Sequence, residues 1–317
     1  MQAAVIDRYG PPEAVRIETR DTPSPHAGQL LVRVEAAAVT SGDARIRAGR
    51  FPAGFGVLAR LAIGLRGPRR PVLGGTFSGV VEALGPNSGD FEVGDAVAGM
   101  TGARFGTHAE LAVAPIRSTT HKPETLSHDA AAAVLFGGST ALHYLRDRAK
   151  IREGDRVLVN GGSGSVGISA IQLARNAGAH VTAVVSPRNQ DLVQALGANE
   201  VIDYTATPMS HLSGDYDVVF DTVGNITRAD GPRMLGPDGS LLLAVANLSD
   251  TVLARGRVHA GPAPERADHF ATLLDLAAAG SLDPVVETLG GLAALPDAYR
   301  IIDSGRKVGN LVIRPGQ

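Results

Sequence analysis

Gly162, Gly164 and Gly167 fall in the pattern G-x-G-x-x-G, within Gly161-Gly162-Ser163-Gly164-Ser165-Val166-Gly167. Glycines at these spacings permit a tight turn, a close approach of backbone to a pyrophosphate, and tight packing of a helix on a strand. The chemistry implied is dinucleotide binding, with phosphate held by the free N–H groups and positive end of a helix. Which dinucleotide depends on the tip of the next strand, where NAD-binding units place a carboxylate against the ribose 2′-hydroxyl. Here the tip reads Ser186-Pro187-Arg188-Asn189, with no carboxylate. A hydroxyl and a planar, permanently charged guanidinium suit a 2′-phosphate, hence NADPH. The plainer reading of Arg188 is the start of a solvated helix whose first turn holds Asp191.

Such a loop works only between a strand and a helix, and the flanking residues supply both. Arg156 to Asn160 is a short β-branched, apolar run. Ile168, Ala170, Ile171, Leu173, Ala174 and Ala177 then recur at helical spacing, and Gly178 supplies a stop. Strand and helix continue to alternate downstream: His180 to Val185, Asp191 to Leu196, Val201 to Tyr204, Tyr216 to Thr222, Ile226 to Leu235 and Ser240 to Ala246. That alternation predicts βαβ units and a parallel sheet covered by helices on both faces. Before the loop, an Ala-rich helix from Ala130 to Leu135, capped by Ser127 or Asp129, is interrupted by Gly137-Gly138-Ser139-Thr140 and resumes from Ala141 to Lys150.

Residues 1 to about 122 read differently, as short β-like segments parted by Gly and Pro, which predicts a barrel or sandwich. The exception is Phe51 to Arg70, apolar in the middle and basic at its end. It reads as a short helix and surface loop, or as an apolar wall for a substrate. A last amphipathic helix is expected over Glu265 to Ala279, and a shorter one after Pro296. A closing strand follows over Val308 to Ile313.

The 317 residues are enough for two lobes, and a hydrophobic fraction of 44% is that of an ordinary globular chain. A net charge of −2, with acids and bases interspersed, gives no case for nucleic acid or an acidic membrane. Without cysteine, disulfides and thiolate metal sites are excluded. No signal peptide or membrane-spanning run is visible, so a cytoplasmic protein is expected.

Taken together, GGSGSVG with ISAIQLA, LGANEVIDY, YDVVFDTVG, MQAAVIDRYGPPEAV, VEAAAVTSGDARIRAG, PVLGGTFSGVVEALG and GRKVGNLVI resemble, in order and over nearly the whole chain, one family. This is the zinc-independent quinone oxidoreductase branch of the medium-chain dehydrogenase/reductase superfamily. The resemblance implies an α/β fold: a GroES-like β-barrel substrate lobe (1–122 with 262–317) and an inserted Rossmann lobe (123–261) with a doubly wound parallel sheet. It also implies a homodimer joined through the Rossmann sheets and a cofactor in the cleft between lobes. Zinc-dependent members use Cys, His and Cys ligands, and the matching places here hold Thr40-Ser41 and Gly75-Thr76. The nine histidines form no spaced ligand pair, so no metal is expected.

By the same resemblance, Gly162, Ser163, Gly164, Ser165, Val166 and Gly167 would hold the pyrophosphate. Thr140 would lie near the phosphates or nicotinamide. Ser186, Arg188 and Tyr204 would surround the 2′-phosphate and adenosine, while Val245 and Asn310 would approach the nicotinamide ribose. Tyr204 also reads as a surface aromatic at a strand end. The family transfers hydride from NADPH to a quinone or to the β-carbon of an activated alkene, with charge growing on the carbonyl oxygen. Where relatives carry Asn and two Tyr, this chain has Thr40, Arg45 and Phe51. Thr40 and Arg45 are candidate oxyanion donors, and Asp43 a candidate to position Arg45 or a ribose. The alternative for Asp43 and Arg45 is a surface ion pair on a turn. The function expected is an NADPH-dependent quinone or enone reductase acting on a small molecule. The alternatives are an enoyl reductase on a biosynthetic intermediate, carrier-bound or free, and a non-catalytic NADPH-binding protein.

Overall fold

The computed structural model describes residues 1–317. Six parallel strands form one sheet, in the spatial order Glu200–Asp203, His180–Val185, Arg156–Asn160, Tyr216–Asp221, Leu235–Leu243, Val258–Ala260. In chain order this is third, second, first, fourth, fifth, sixth, the doubly wound order. It leaves a switch point between Arg156–Asn160 and Tyr216–Asp221, where such sheets open a crevice at the strands' carboxyl ends. Asn160 and Asp221 are paired in register at that edge.

One face of this sheet, with Val157, Val159, Val181, Ala183 and Phe220, shares a core with the helices His128–Leu142, Ser165–Asn176 and Ala267–Ala278. The other face, with Leu158, Val184, Val219 and Leu241, is covered by Ile226 and Met234. The helix expected over Ile226 to Leu235 is a single 3-10 turn, Gly231–Met234. Pro232 has no N–H to donate and Gly231 is the costliest ordinary helix residue, so this stretch propagates no α-helix.

The first lobe is a seven-stranded sheet in which the chain's final strand, Asn310–Ile313, pairs antiparallel with the long strand Gln29–Val39. Leu30, Val32, Phe77, Val81, Val97, Leu311 and Ile313 pack there against Leu295 and Tyr299 of the helix Leu295–Asp303. Both chain ends therefore build this lobe. The helix Ala267–Ala278, which sequence reading grouped with it, instead buries Phe270, Leu273 and Leu274 in the core of the parallel sheet. Its apolar face has its mates there, beside Leu135 and Ile168.

The interruption expected at Gly137-Gly138-Ser139-Thr140 does not occur. The helix runs unbroken from His128 to Leu142 and continues as a wider π-turn to Ala149. The glycines serve packing instead. A Cβ on Gly137 would lie 2.3 Å from the Ser165 carbonyl oxygen, and one on Gly138 would lie 2.9 Å from the Leu273 side chain. The helix Ser165–Asn176 thus approaches Gly137 to backbone distance, and the Leu273 side chain packs into the space over Gly138.

Candidate functional site

The glycine turn is built as its spacing demands, with one shift of role. Gly161 carries the left-handed turn, at φ +84°. Gly167 provides the helix-on-strand contact, since a Cβ there would sit 2.2 Å from the Gly161 carbonyl oxygen. A Cβ on Gly162 would press on Ile171, Val185 and Ala183 at 3.1 to 3.2 Å. Gly164 is different: beyond the Gly161 oxygen at 3.5 Å, the protein leaves the space over it open. It lines the cleft and caps the helix Ser165–Asn176, whose N–H groups on Val166 and Gly167 have no acceptor in the protein. An open backbone and unpaired donors at a helix N-terminus suit an anion.

Two cavities meet over this turn. One, of about 370 Å³, brings together Ser163, Ser186, Arg188 and Tyr204. No carboxylate lines it. Arg188 donates to the Arg306 carbonyl oxygen at 3.3 Å, and Asn189 Nδ2 donates to Ser163 Oγ at 2.9 Å, which fixes the loop after the second strand against the glycine turn. The other, of about 260 Å³, holds Thr40, Arg45, Thr140, Ser165, Val166, Val245 and Asn310. Gly164, Thr222, Gly305 and Lys307 line both, so they mark the waist between the two.

The first lobe closes this waist from above. Gly309 N donates to the Ser163 carbonyl oxygen at 2.9 Å. Ser165 Oγ donates to Asn310 Oδ1, and Asn310 Nδ2 donates to the Pro284 carbonyl oxygen. Lys307 had no place among the residues singled out from sequence, yet it is the cation of the waist. Its Nζ donates to the Gly309 carbonyl oxygen and has no carboxylate partner, and burial pushes its amine down to about 8. The one signal for it in the chain was its place in GRKVGNLVI, next to the residues that dock on the glycine turn.

Of the expected catalytic trio, two members face the cavity. Thr40 and Asp43 form a capping box at the start of the helix Ser41–Ala48. Asp43 accepts from Thr40 N at 2.8 Å, Thr40 Oγ1 at 2.7 Å and Gly74 N at 3.2 Å. No hydrogen bond or ion pair joins Asp43 to Arg45, so its carboxylate shapes the helix start and neither positions the arginine nor lines the cavity. Arg45 projects from the same helix, half-buried and without a carboxylate partner, and burial lowers the pKa of its guanidinium. It lines the inner cavity and also an outer recess with Phe51 and Pro52. Thr140 Oγ1 donates back to the Phe136 carbonyl oxygen at 3.0 Å, as helical threonines do. Tyr144 is core packing: its hydroxyl donates to the Gly261 carbonyl oxygen at 2.6 Å, and burial pushes its pKa up to about 12.

Asp221, at the switch point, was not foreseen. It is fully buried, accepting from Asn160 Nδ2 at 2.8 Å and from the N–H groups of Val223, Gly224 and Ile226 at 3.0 to 3.1 Å. Desolvation still outweighs these bonds and raises its pKa. The carboxylate pins the loop that supplies Thr222 to the waist.

A doubly wound sheet with a glycine turn at its switch point, closed over by a β-lobe built from both chain ends, defines a two-lobed nucleotide-binding protein. Residues 26–124 match the family described as "Alcohol dehydrogenase GroES-like domain", and residues 196–313 match "Zinc-binding dehydrogenase". The chain is 30% identical over 357 residues to "NAD(P)H oxidoreductase RTN4IP1, mitochondrial" of Danio rerio, covering 99% of this chain and 91% of that one. The quinone oxidoreductase from Coxiella burnetii superposes with a TM-score of 0.88 at 27% identity, over 99% of each chain. That of Pseudomonas syringae pv. Tomato DC3000 gives 0.81 at 25%, again over 99% of each. The chain belongs to the medium-chain dehydrogenase/reductase superfamily, as an NAD(P)H oxidoreductase of the quinone-oxidoreductase-like kind.

The zinc in one family description finds no fit here. No three His, Cys, Asp or Glu side chains gather to hold an ion.

Proposed function

We propose that this protein reduces a quinone, or the activated C=C of an enone or enal, with NADPH. The observation that carries the reading is the cleft's division into two cavities joined at a waist. One is lined by Arg188 and no carboxylate; the other is lined by the unpaired guanidinium of Arg45. Ser186, Arg188 and Tyr204 would hold the adenosine end and its 2′-phosphate. Gly162 to Gly167 and Lys307 would hold the pyrophosphate, and Thr140, Val245 and Asn310 would hold the nicotinamide ribose. When bound, the dinucleotide supplies a hydride to an electrophilic carbon.

The chain's own contribution is orientation and charge. Phe136, Val245 and Ile302 give the inner cavity apolar walls that would hold a flat acceptor and exclude water. Arg45 stands where negative charge on an acceptor oxygen could be met, in a site dry enough to strengthen that interaction, whereas the Thr40 hydroxyl proton is already held by Asp43. Lys307, its amine at about 8, is the one lining group that could give a proton at neutral pH, but the step requires no acid residue, since water can supply the proton to the neighbouring carbon. The open edge of Val258–Ala260, last in the parallel sheet, supports a homodimer formed through that strand.

The test is to mix purified protein with NADPH and a panel of quinones, enones and enoyl thioesters, and follow NADPH consumption. Turnover on quinones or enones is expected. Turnover on enoyl thioesters alone would move the assignment to an enoyl reductase, and tight NADPH binding with none would mark a non-catalytic binding protein.

A further inference from the structure

The segment Phe51 to Arg70 lies outside everything described so far. It forms the helix Gly56–Ile63, in which every side chain except Arg60 is apolar. A helix apolar all round belongs in a core or against lipid, yet this one lies on the surface. Phe55, Ala59 and Ile63 form its half-buried inner side. Val57, Leu58, Leu61 and Leu65 point outward, 73%, 55%, 56% and 63% exposed. A second exposed pair, Val252 and Leu253, follows on the segment whose Leu248 N donates to the Ala53 carbonyl oxygen at 2.9 Å.

Along this segment the charge is of one sign, a local departure from the even whole-chain balance that gave no case for an acidic membrane. Between Asp43 and Glu82 there are seven arginines and no acid. Arg60, Arg66, Arg69 and Arg70 are exposed, and none has a carboxylate partner. Arg60 and Arg69 donate to the carbonyl oxygens of Leu65 and Ala62 at the helix end. The nearby acids are engaged: Asp7 with Arg16, and Asp303 with Arg47 and Arg50.

We infer that this helix and its arginines form a docking surface for an anionic lipid bilayer, lying flat with the leucines in the acyl boundary. Protruding aliphatic side chains ringed by arginine are what an interfacial helix needs. A protein partner would more often want a pocket to fill, and none of the five main cavities is lined by Val57, Leu58, Leu61 or Leu65. The surface begins within a few residues of Phe51 and Pro52, which line the outer recess beside Arg45. A lipophilic molecule leaving the bilayer would therefore meet the cleft directly. Docking itself does not depend on which acceptor the cleft takes.

Co-sedimentation of the whole protein with vesicles tests it, comparing phosphatidylcholine alone with phosphatidylcholine–phosphatidylglycerol mixtures at low and high salt. Binding to the mixed vesicles that weakens with salt is expected. Leu58→Asp/Leu61→Asp should cut the bound fraction about tenfold or more, and Arg66→Ala/Arg70→Ala should remove most of the salt dependence. The altered side chains are exposed, so the thermal midpoint and NADPH affinity should be retained; both are measured alongside. Wild type left in the supernatant with both vesicle types would overturn the inference, as would equal pelleting of the double aspartate variant. Co-elution with an acidic acyl carrier protein, or a dimer lost in that variant, without vesicle binding, would equally overturn it.

Discussion

Ser165 and Asn310 join the two lobes at the point where the phosphate turn becomes a helix, the serine hydroxyl donating to the asparagine carbonyl. They lie 145 residues apart in the chain. Asn310 passes the contact on to the Pro284 carbonyl oxygen, so the final strand, the glycine turn and the segment linking the lobes share one hydrogen-bonded seam. The cleft floor and its lid are therefore positioned by the same two side chains.

Gly164 and Gly167 separate binding from folding. Gly164→Ala adds a methyl where the protein leaves room, at a φ of −80° that alanine adopts freely. Its urea midpoint should stay near wild type while NADPH affinity falls, roughly tenfold or more, because the methyl fills the anion's approach. Gly167→Ala forces a Cβ against the Gly161 oxygen and should cost about 1–3 kcal/mol of stability as well. Denaturation and fluorescence titration of both variants check the contrast.

Arg188 should set the choice of coenzyme. Replacing it with alanine removes a charge-assisted pair to a 2′-phosphate, a loss of about 1.5–3 kcal/mol, or roughly tenfold to a hundredfold, in NADPH binding. NADH binding should barely change. Equal weakening of both would remove the 2′-phosphate from this end of the cleft.

Lys307 should make coenzyme binding pH-dependent. Its folded pKa of about 8 lies below the ordinary lysine value of 10.5, so the unfolded chain binds more protons between these limits. The free protein should thus gain stability as pH rises from about 8 towards 10.5. A phosphate against the ammonium reverses the bias. Coenzyme binding should take up a proton above pH 8 and weaken as pH rises through that range. Calorimetry in buffers of differing ionisation enthalpy measures the uptake, and Lys307→Met should abolish it.

Arg45 should act on turnover more than on coenzyme binding. Arg45→Met is expected to lower kcat by about 10²–10³ with NADPH affinity little altered, the size of effect that follows loss of a single oxyanion donor. Steady-state kinetics with an enone decide it. An unchanged kcat would return Arg45 to a purely structural role.

Much of this was legible in the chain because the governing rules are local. The turn at Gly161 to Gly167, the strand before it and the empty second-strand tip are short-range patterns, and the structure places them together. What sequence misread were residues whose role is set by distant partners. Gly137 and Gly138 look like a helix break, but the helix Ser165–Asn176 and Leu273 make them contact surfaces. Asp43 looks catalytic beside Arg45, but its three donors come from Thr40 and from Gly74 in another part of the lobe. Lys307 and Asp221 stand within GRKVGNLVI and YDVVFDTVG, but nothing local in either stretch says what the side chain does. Only the meeting of two lobes makes one a waist cation, and only a strand end makes the other a loop anchor.

The most direct measurement of hydride transfer uses NADPH carrying deuterium at both C4 positions, with the enone or quinone that turns over fastest. For an enone, the product should carry one deuterium on the β-carbon, with the solvent proton on its neighbour, as read by mass spectrometry and NMR. Deuterium absent from that carbon, or NADPH bound but never consumed with any acceptor, would contradict the account.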